Sequence, residues 1–397
     1  MKVLIYSHSF APDIGGVETY AMLLAQGLSS YGESEKVEVT IATSTSAIGF
    51  DDSALPFRVV RRPGIAALAK LIRHSDVINL AGPTLAPMLL CKMLGKPVVV
   101  EHHGYQAICP NGLLLFHPER VVCNDRFMRR RYLSCLKCNV SEIGWIRSLK
   151  MLILTGPRRW LCGHASVNLC ISQHVLKRMR LRRSVVVYYG VPGVNEGNQV
   201  AVVEPPLTRG AAGQTLTIAY VGRLVFEKDV MTLVEAVRLA HSSNHNVLLK
   251  IIGDGPERER IEKAIKSGTF DPPIQLTGFL VGDALAEALK SVQIVVIPTM
   301  MEETAGLAVM EQMMRGRPVI VSDIGGLAEV AGDGGLTFPP GDANALAECL
   351  RRLIDHPDWV VDLGRKAGTR AHTTFTQARM VDEHRRIFES LTAGRPN

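Results

Sequence analysis

Short apolar runs rich in Val, Ile and Leu alternate along the chain with stretches in which apolar residues recur at helical spacing. In the first half the runs are KVLIYS (2–7), VEVTIAT (37–43), DVINLAG (76–82), PVVVEHH (97–103), VNLCIS (167–172) and VVVYYG (185–190), with helical spacing over 17–28 and 85–94. The second half restarts with LTIAYVG (216–222), VLLKIIG (247–253), IQLTG (274–278), QIVVIPT (293–299) and PVIVSD (318–323). Strands that alternate with helices predict parallel sheets joined by crossovers, so the fold class is α/β with two Rossmann-like units.

Between the halves, residues 191–214 are rich in Pro, Gly and Asn and lack a sustained period, as a linker does. The expected organisation is a domain over 1–190 with a Cys-rich basic insertion at about 105–140, the linker 191–214, a second domain over 215–375, and a last helix in 376–397. That helix follows no further strand, and topology predicts that it crosses back to the first domain. Ligands of open parallel sheets sit beyond the carboxyl ends of the strands, so two such domains are expected to face each other across a cleft.

A chain of 397 residues is long enough to bury a core without disulfides, and 47% hydrophobic with 21% charged residues excludes disorder. Eight cysteines are too sparse for a secreted disulfide scaffold, and MKVLIYSHSF lacks a signal peptide's apolar region. The most apolar long window, 80–100, is broken by Pro83, Pro87, Lys92, Lys96 and Pro97, so no membrane span is expected. These features predict a cytoplasmic protein with reduced thiols.

Charge changes the picture in one region. Residues 1–200 hold 24 Lys and Arg against 13 Asp and Glu, whereas 201–397 hold 21 against 25. Between Arg120 and Arg183 there are 15 basic and 2 acidic residues. No nucleic-acid motif accompanies them, so an anionic membrane surface or a phosphate-bearing lipid acceptor is the expected partner, against the plain alternative of a solvated basic face. The segment WIRSLKMLIL (145–154) mixes cations with bulky apolar residues and suits either a membrane interface or a core-facing helix.

The candidate chemistry follows strands of the second half. LTIAYVG runs into GRLVFEKD (222–229), which puts Arg223 and Lys228 on the loop before a helix. A guanidinium fork and an ammonium together suit a diphosphate without a metal. QIVVIPT runs into MMEETAGLAVMEQ, where a helix beginning near Ala305 or Gly306 leaves the amides of Gly306 and Leu307 without partners in the helix, a ready anion site. Glu303 precedes that helix, and Glu311 within it can accept two hydrogen bonds from vicinal hydroxyls such as a ribose diol.

The ordered series GRLVFEKD, IIGDGPERERIEKAI, LTGFL, IPTMMEETAGLAVMEQMMRGRPVIVSDIGGLAEV and GLTFPPGDANALAECLRRLI resembles glycosyltransferase family 4. The likeness is close over about 215–390 and continues through FAPDIGGVETYAMLLAQGL (10–28) and VVVEHHGYQAICP (98–110). It implies the GT-B fold and a retaining glycosyltransferase moving a sugar from a nucleoside-diphosphate sugar, UDP- or GDP-linked, to a glycan or lipid-linked acceptor in polysaccharide or glycolipid synthesis. Carried onto this chain, the resemblance puts Arg223 and Lys228 on the donor pyrophosphate, Gly306 and Leu307 on phosphate through their amides, Glu311 on the ribose and Glu303 near the anomeric carbon. Gly15 and Gly16 would let backbone approach the donor or acceptor, and His103 falls on the family's active-site histidine with His102 as the alternative. Ala305 stands where an aromatic residue or Pro is frequent and Asp229 where Gly is frequent, departures expected to reshape the sugar pocket. A nucleotide-sugar 2-epimerase and a non-catalytic nucleotide-sugar-binding protein are the competing readings.

No Asp-x-Asp motif follows a strand in a suitable place, so no catalytic metal is expected. Cys109, Cys123, Cys135 and Cys138 fall in one segment with a final Cys-x2-Cys pair, which suits structural zinc. Buried unpaired thiols, disulfides or an iron–sulfur cluster are the other readings of the same spacing.

Overall fold

The computed structural model describes residues 1–30, 37–193, 216–242, 247–266 and 274–393. The linker expected at 191–214 lies outside the described residues from 194 onward. The chain divides into two compact units, Met1–Pro192 with Thr376–Asn397, and Gly193–Phe375.

The first unit is built on β1 (Lys2–Ser7), β2 (Glu38–Thr43), β3 (Arg58–Arg61), β4 (Val77–Leu80), β5 (Val98–His102), a small hairpin β6 (Leu115–Phe116) and β7 (Val121–Val122), β8 (Val167–Cys170) and β9 (Ser184–Val186). Seven strands form one parallel sheet in the order β3-β2-β1-β4-β5-β8-β9. Helices α1 (Gly16–Ser29), α2 (Ile65–His74), α3 (Leu85–Met93), α4 (Tyr132–Gly163) and α5 (Gln173–Met179) make the crossovers. Central strands such as β4, VINL, are buried at every position, as a parallel sheet covered on both faces requires. The edge strand β3, RVVR, carries arginines at both ends. α4 breaks at Gly144, whose φ of 74° is not helical.

The second unit repeats the plan. Its sheet comprises β10 (Leu216–Val221), β11 (Val247–Ile252), β12 (Ile274–Gly278), β13 (Ile294–Ile297), β14 (Val319–Ser322) and β15 (Gly335–Phe338), ordered β12-β11-β10-β13-β14-β15 with every pair parallel. Its helices are α6 (Val230–Ser242), α7 (Arg258–Lys266), α8 (Gly282–Leu289), α9 (Leu307–Met314), α10 (Leu327–Ala331), α11 (Ala343–Asp355) and α12 (Pro357–Thr374). Arg317 is fully buried, and its guanidinium donates to the carbonyls of Val292 and Leu289 and to Gln312 Oε1 at 2.8–3.0 Å.

The last helix, α13 (Gln377–Thr392), belongs to the first unit. Thr376 caps it, accepting from the Arg379 amide at 3.3 Å. It packs on α1, where Gln377 Nε2 donates to the Leu23 carbonyl at 2.7 Å. Gly190 makes the approach possible, because a Cβ there would stand 2.6 Å from Gln377 Cα. The same contact ends β9 early: the pattern predicts a strand to residue 190, but the chain leaves the sheet after Val186 and Val191 bridges to Thr376 instead.

Candidate active site

In the second sheet the strand order reverses between β10 and β13, the position where open α/β sheets leave room for a ligand beyond their carboxyl ends. The loops leaving these two strands carry the charged candidates. After β10 the chain passes Gly222 and the exposed Arg223, whose carbonyl accepts from Tyr220 Oη at 2.7 Å, and reaches Lys228 at the end of a short 3-10 turn. Lys228 Nζ donates to the Glu303 carboxylate on the loop leaving β13. The two loops are also stitched through backbone: the Glu227 carbonyl accepts from the Met300 amide and from Thr299 Oγ1, each at 2.9 Å. The structure thus brings Lys228 and Glu303 together, and the turn of the chain leaves Arg223 facing solvent.

The loop after β11, GDG (253–255), completes this corner. A Cβ on Gly253 would stand 1.8 Å from the Gly222 carbonyl oxygen, so only glycine lets this loop lie against the Arg223 loop. Residue order alone gives this motif no role. Its cue was two glycines directly after a strand.

Helix α9 begins at Leu307 with Gly306 as its N-cap at φ 85°, a left-handed conformation that favours glycine. The Gly306 carbonyl accepts from the Val309 and Met310 amides, which leaves the Gly306 and Leu307 N–H groups at the positive end of the helix. One turn on, Glu311 is half-buried. Burial raises its pKa, opposed by Arg315. Ala305 is fully buried and Asp229 adopts φ 46°, its carboxylate accepting from Thr232 Oγ1 at 2.6 Å. These are the two departures from the family pattern. The one is packed inside, and the other holds a left-handed turn that glycine also fits.

In the first sheet the order reverses between β1 and β4, and Gly15 and Gly16 follow β1. Gly15 is the N-cap of α1 with an extended φ of −175°, and a Cβ on Gly16 would meet nothing within 4 Å. His102 is fully buried in β5, bonded through Nε2 to Asn168 Oδ1 at 2.9 Å, and burial lowers its pKa to about 4. His103 lies one residue beyond the strand. Its Nε2 meets Glu101 Oε2 at 2.7 Å, its Nδ1 meets Tyr189 Oη at 2.7 Å, and its ring stacks on Tyr189 with centroids 5.5 Å apart. Both nitrogens are thus engaged within the first unit. Sequence reading missed Glu101, Tyr20, Tyr189 and His384, which share this network; its one cue was a carboxylate inside the apolar run VVVEHH.

Cys109, Cys123, Cys135 and Cys138 line one small cavity of about 10 Å³ together with Asn111 and Arg126. The hairpin β6–β7 delivers Cys123, and the first turns of α4 deliver Cys135 and Cys138. Cys109 Sγ donates to Asn111 Oδ1 at 2.9 Å and Cys138 Sγ to the Leu115 carbonyl at 3.4 Å. All four are free and buried, and burial pushes the thiols of Cys109 and Cys135 up to about 11 and about 12. Among the described residues no group of three or more His, Cys, Asp or Glu side chains is disposed to hold a metal ion. Two of the four sulfurs are turned onto Asn111 and a backbone carbonyl.

α4 presents bulky apolar side chains to solvent: Trp145 is 63% and Ile146 86% exposed, with Leu149, Ile153 and Trp160 also exposed. The segment also has an inward face, with Ser148 buried and Met151, Leu152 and Leu154 half-buried. Among the described residues no helix is long and apolar enough to cross a membrane.

The profile of the family described as Glycosyl transferases group 1 matches residues 215–356, the span holding Arg223, Lys228, Glu303, Gly306, Leu307 and Glu311. Over 142 residues the chain is 31% identical to 2-deoxystreptamine glucosyltransferase of Streptomyces kanamyceticus, a match covering 35% of this chain and 36% of that enzyme. The chain thus spans little more than a third of that relative's length. HepE of Anabaena, solved with UDP and glucose, is similar with a TM-score of 0.68 at 15% identity, over 98% of this chain and 100% of that one. Sucrose-phosphate synthase of Thermosynechococcus elongatus gives 0.72 at 19%, over 99% and 100%. The chain therefore has the GT-B fold, and its second domain matches Glycosyl transferases group 1.

Proposed function

We propose that the protein is a retaining glycosyltransferase of family 4 that moves a sugar from a nucleoside-diphosphate sugar to a hydroxyl of a glycan or lipid-linked acceptor. The observation that carries this reading is the Lys228–Glu303 pair at the reversal of the second sheet, beside Arg223 and the N-terminus of α9, inside the span matched by the family profile. A UDP-sugar is the favoured donor over a GDP-sugar, because HepE was solved with UDP and glucose.

Departure of a nucleoside diphosphate builds negative charge on phosphate oxygen while the anomeric carbon turns cationic. Arg223, Lys228 and the Gly306 and Leu307 amides are the groups that stabilise the leaving phosphate, and Glu311 holds the ribose hydroxyls. Arrival of the diphosphate draws Lys228 from Glu303, and the released carboxylate steadies the developing positive charge. The acceptor hydroxyl attacks the face that the phosphate leaves, and a phosphate oxygen takes its proton. No side chain acts as a displacement nucleophile in this scheme, and no metal is assigned a step. Gly15, Gly16 and His103 serve the first domain's part of the reaction.

The basic stretch Arg120–Arg183 and the exposed Trp145 and Ile146 on α4 favour an acceptor presented at an anionic membrane surface, and the reading taken is a cytoplasmic protein peripheral to the inner face of the membrane. The relative named above is a glucosyltransferase, and the epimerase reading is not carried forward.

A thermal-shift panel of UDP, GDP and ADP with their sugars tests the donor. A ligand at 100 times its dissociation constant stabilises by about 2.7 kcal/mol. A clear shift with UDP and its sugars is expected. No shift with any of them contradicts the reading.

A further inference from the structure

Glu101 is buried with no exposed surface, and five side chains from five segments of the first unit surround its network. Its Oε1 accepts from Tyr20 Oη of α1 at 2.6 Å and from Asn79 Nδ2 of β4 at 2.8 Å, and lies 3.2 Å from His384 Nε2 of α13. Its Oε2 accepts from His103 Nε2 at 2.7 Å. Tyr189 closes the group through His103 Nδ1. Burial alone would raise the carboxyl's pKa, but the hydrogen bonds from His103 and His384 outweigh it and hold the group below the usual carboxylate range.

The protons of this group can be counted. His384 Nδ1 faces the Met380 carbonyl at 2.7 Å, which only accepts, so that nitrogen carries hydrogen. Tyr20 has one hydroxyl hydrogen and stands 2.6 Å from both Glu101 Oε1 and His384 Nε2. When Tyr20 donates to Glu101, His384 Nε2 must donate to Tyr20, and His384 is a cation. When Tyr20 donates to His384, that ring is neutral and His103 is left as the group able to balance the buried carboxylate. A buried carboxylate without a compensating charge is costly, so one of the two rings holds the proton.

We propose that Glu101 is a positioning residue for His103, and that His384 of the C-terminal helix shares with His103 the single proton that neutralises the buried carboxylate. The C-terminal helix, 364 residues from Tyr20 in the sequence at the point of contact, thereby sets the protonation of a residue in the reaction centre. The positioning role rests on the reading of His103 given under the proposed function. The shared proton does not.

The test is histidine ring NMR on the full chain across pH 5–9, comparing wild type with His384→Gln and Glu101→Gln, alongside pH–rate profiles of kcat and KM. Removing His384 takes away the competing cation and leaves His103, among the described residues, to balance Glu101, so its titration midpoint is expected to rise by about one pH unit or more, as a group relieved of a like charge does. Glu101→Gln is expected to lower the midpoint and to reduce kcat while the donor KM changes little. An unchanged His103 midpoint in His384→Gln overturns the shared proton. A moved midpoint with wild-type kcat and pH profile in Glu101→Gln overturns the positioning role. Should His384→Gln fail to fold, His384→Asn removes the same ionisable ring and carries the same comparison. His103→Ala separates the two claims: wild-type turnover in that variant removes His103 from the reaction centre and leaves the shared proton to the NMR result.

Discussion

The ammonium of Lys228, on the loop leaving β10, donates to the carboxylate of Glu303, on the loop leaving β13. Both side chains are mostly buried, and each supplies the other's counter-charge. A diphosphate at this corner replaces one anion by another at Lys228 and frees Glu303, so the pair is matched to a charge that arrives and then grows. Replacing Glu303 by Gln keeps its shape and removes its charge. The variant is expected to fold, to bind nucleoside diphosphate within a few-fold of wild type, and to lose about 10²–10³ in kcat, the usual effect of removing one preorganised electrostatic group. Steady-state kinetics decide, and an unchanged kcat excludes Glu303 from the chemical step.

Glu311 yields a pH dependence whose sign is fixed. Burial raises its folded pKa above the ordinary 4.5. Its contribution to stability is therefore fully present below the unfolded value and is lost as pH rises through the folded one. Glu311→Gln never ionises, so its Tm relative to wild type is expected to rise between pH 4 and pH 8. Its affinity for the nucleotide is expected to fall by about 10-fold or more, the cost of losing a hydrogen bond to a charged group. A Tm difference independent of pH contradicts the burial of this carboxylate.

Much of this architecture was legible in residue order because the central strands are apolar and buried on both faces. β1 and β12 coincide with the predicted runs, and most others agree within a few residues. β3 escaped notice because two arginines flank only two valines, and β15 because its four residues begin with glycine. Arg223, Lys228 and Glu303 could be placed near one another because the loops that carry them leave predicted strands. The Glu101 network was not, since its partners lie up to 364 residues apart and meet only when α13 packs on α1. The four cysteines fall in one segment of the sequence and line one cavity in the fold, whereas the bonds of two of their sulfurs to Asn111 and the Leu115 carbonyl had no cue in their spacing.

All eight cysteines are free and buried, and burial raises the thiols of Cys91, Cys162 and Cys170 to about 12. At pH 8 such groups are almost entirely thiols, which are poor nucleophiles. A thiol reagent is expected to label the native protein slowly and all eight sites after denaturation. Chelation is expected to leave Tm unchanged. A fall in Tm on chelation, with zinc released, would show that the four-cysteine cavity closes on metal.

The exposed face of α4 makes a prediction about surfaces. Full-length protein is expected to co-sediment with vesicles containing anionic lipid, less so at high salt, and less in a Trp145→Ala, Ile146→Ala double variant. The apolar contribution is about 25 cal/mol per Å² of buried surface, so the double variant should weaken binding at both salt concentrations. Equal binding of wild type and variant assigns no membrane role to this helix.

The most direct test of the account is release of nucleoside diphosphate from a nucleotide sugar in the presence of acceptor, comparing wild type with Arg223→Ala. Arg223 is exposed and its guanidinium is not part of the core, so the variant is expected to keep the wild-type Tm while losing about 10²–10³ in turnover. Turnover equal to wild type in a folded Arg223→Ala protein would contradict a diphosphate leaving group at the carboxyl ends of β10 and β13.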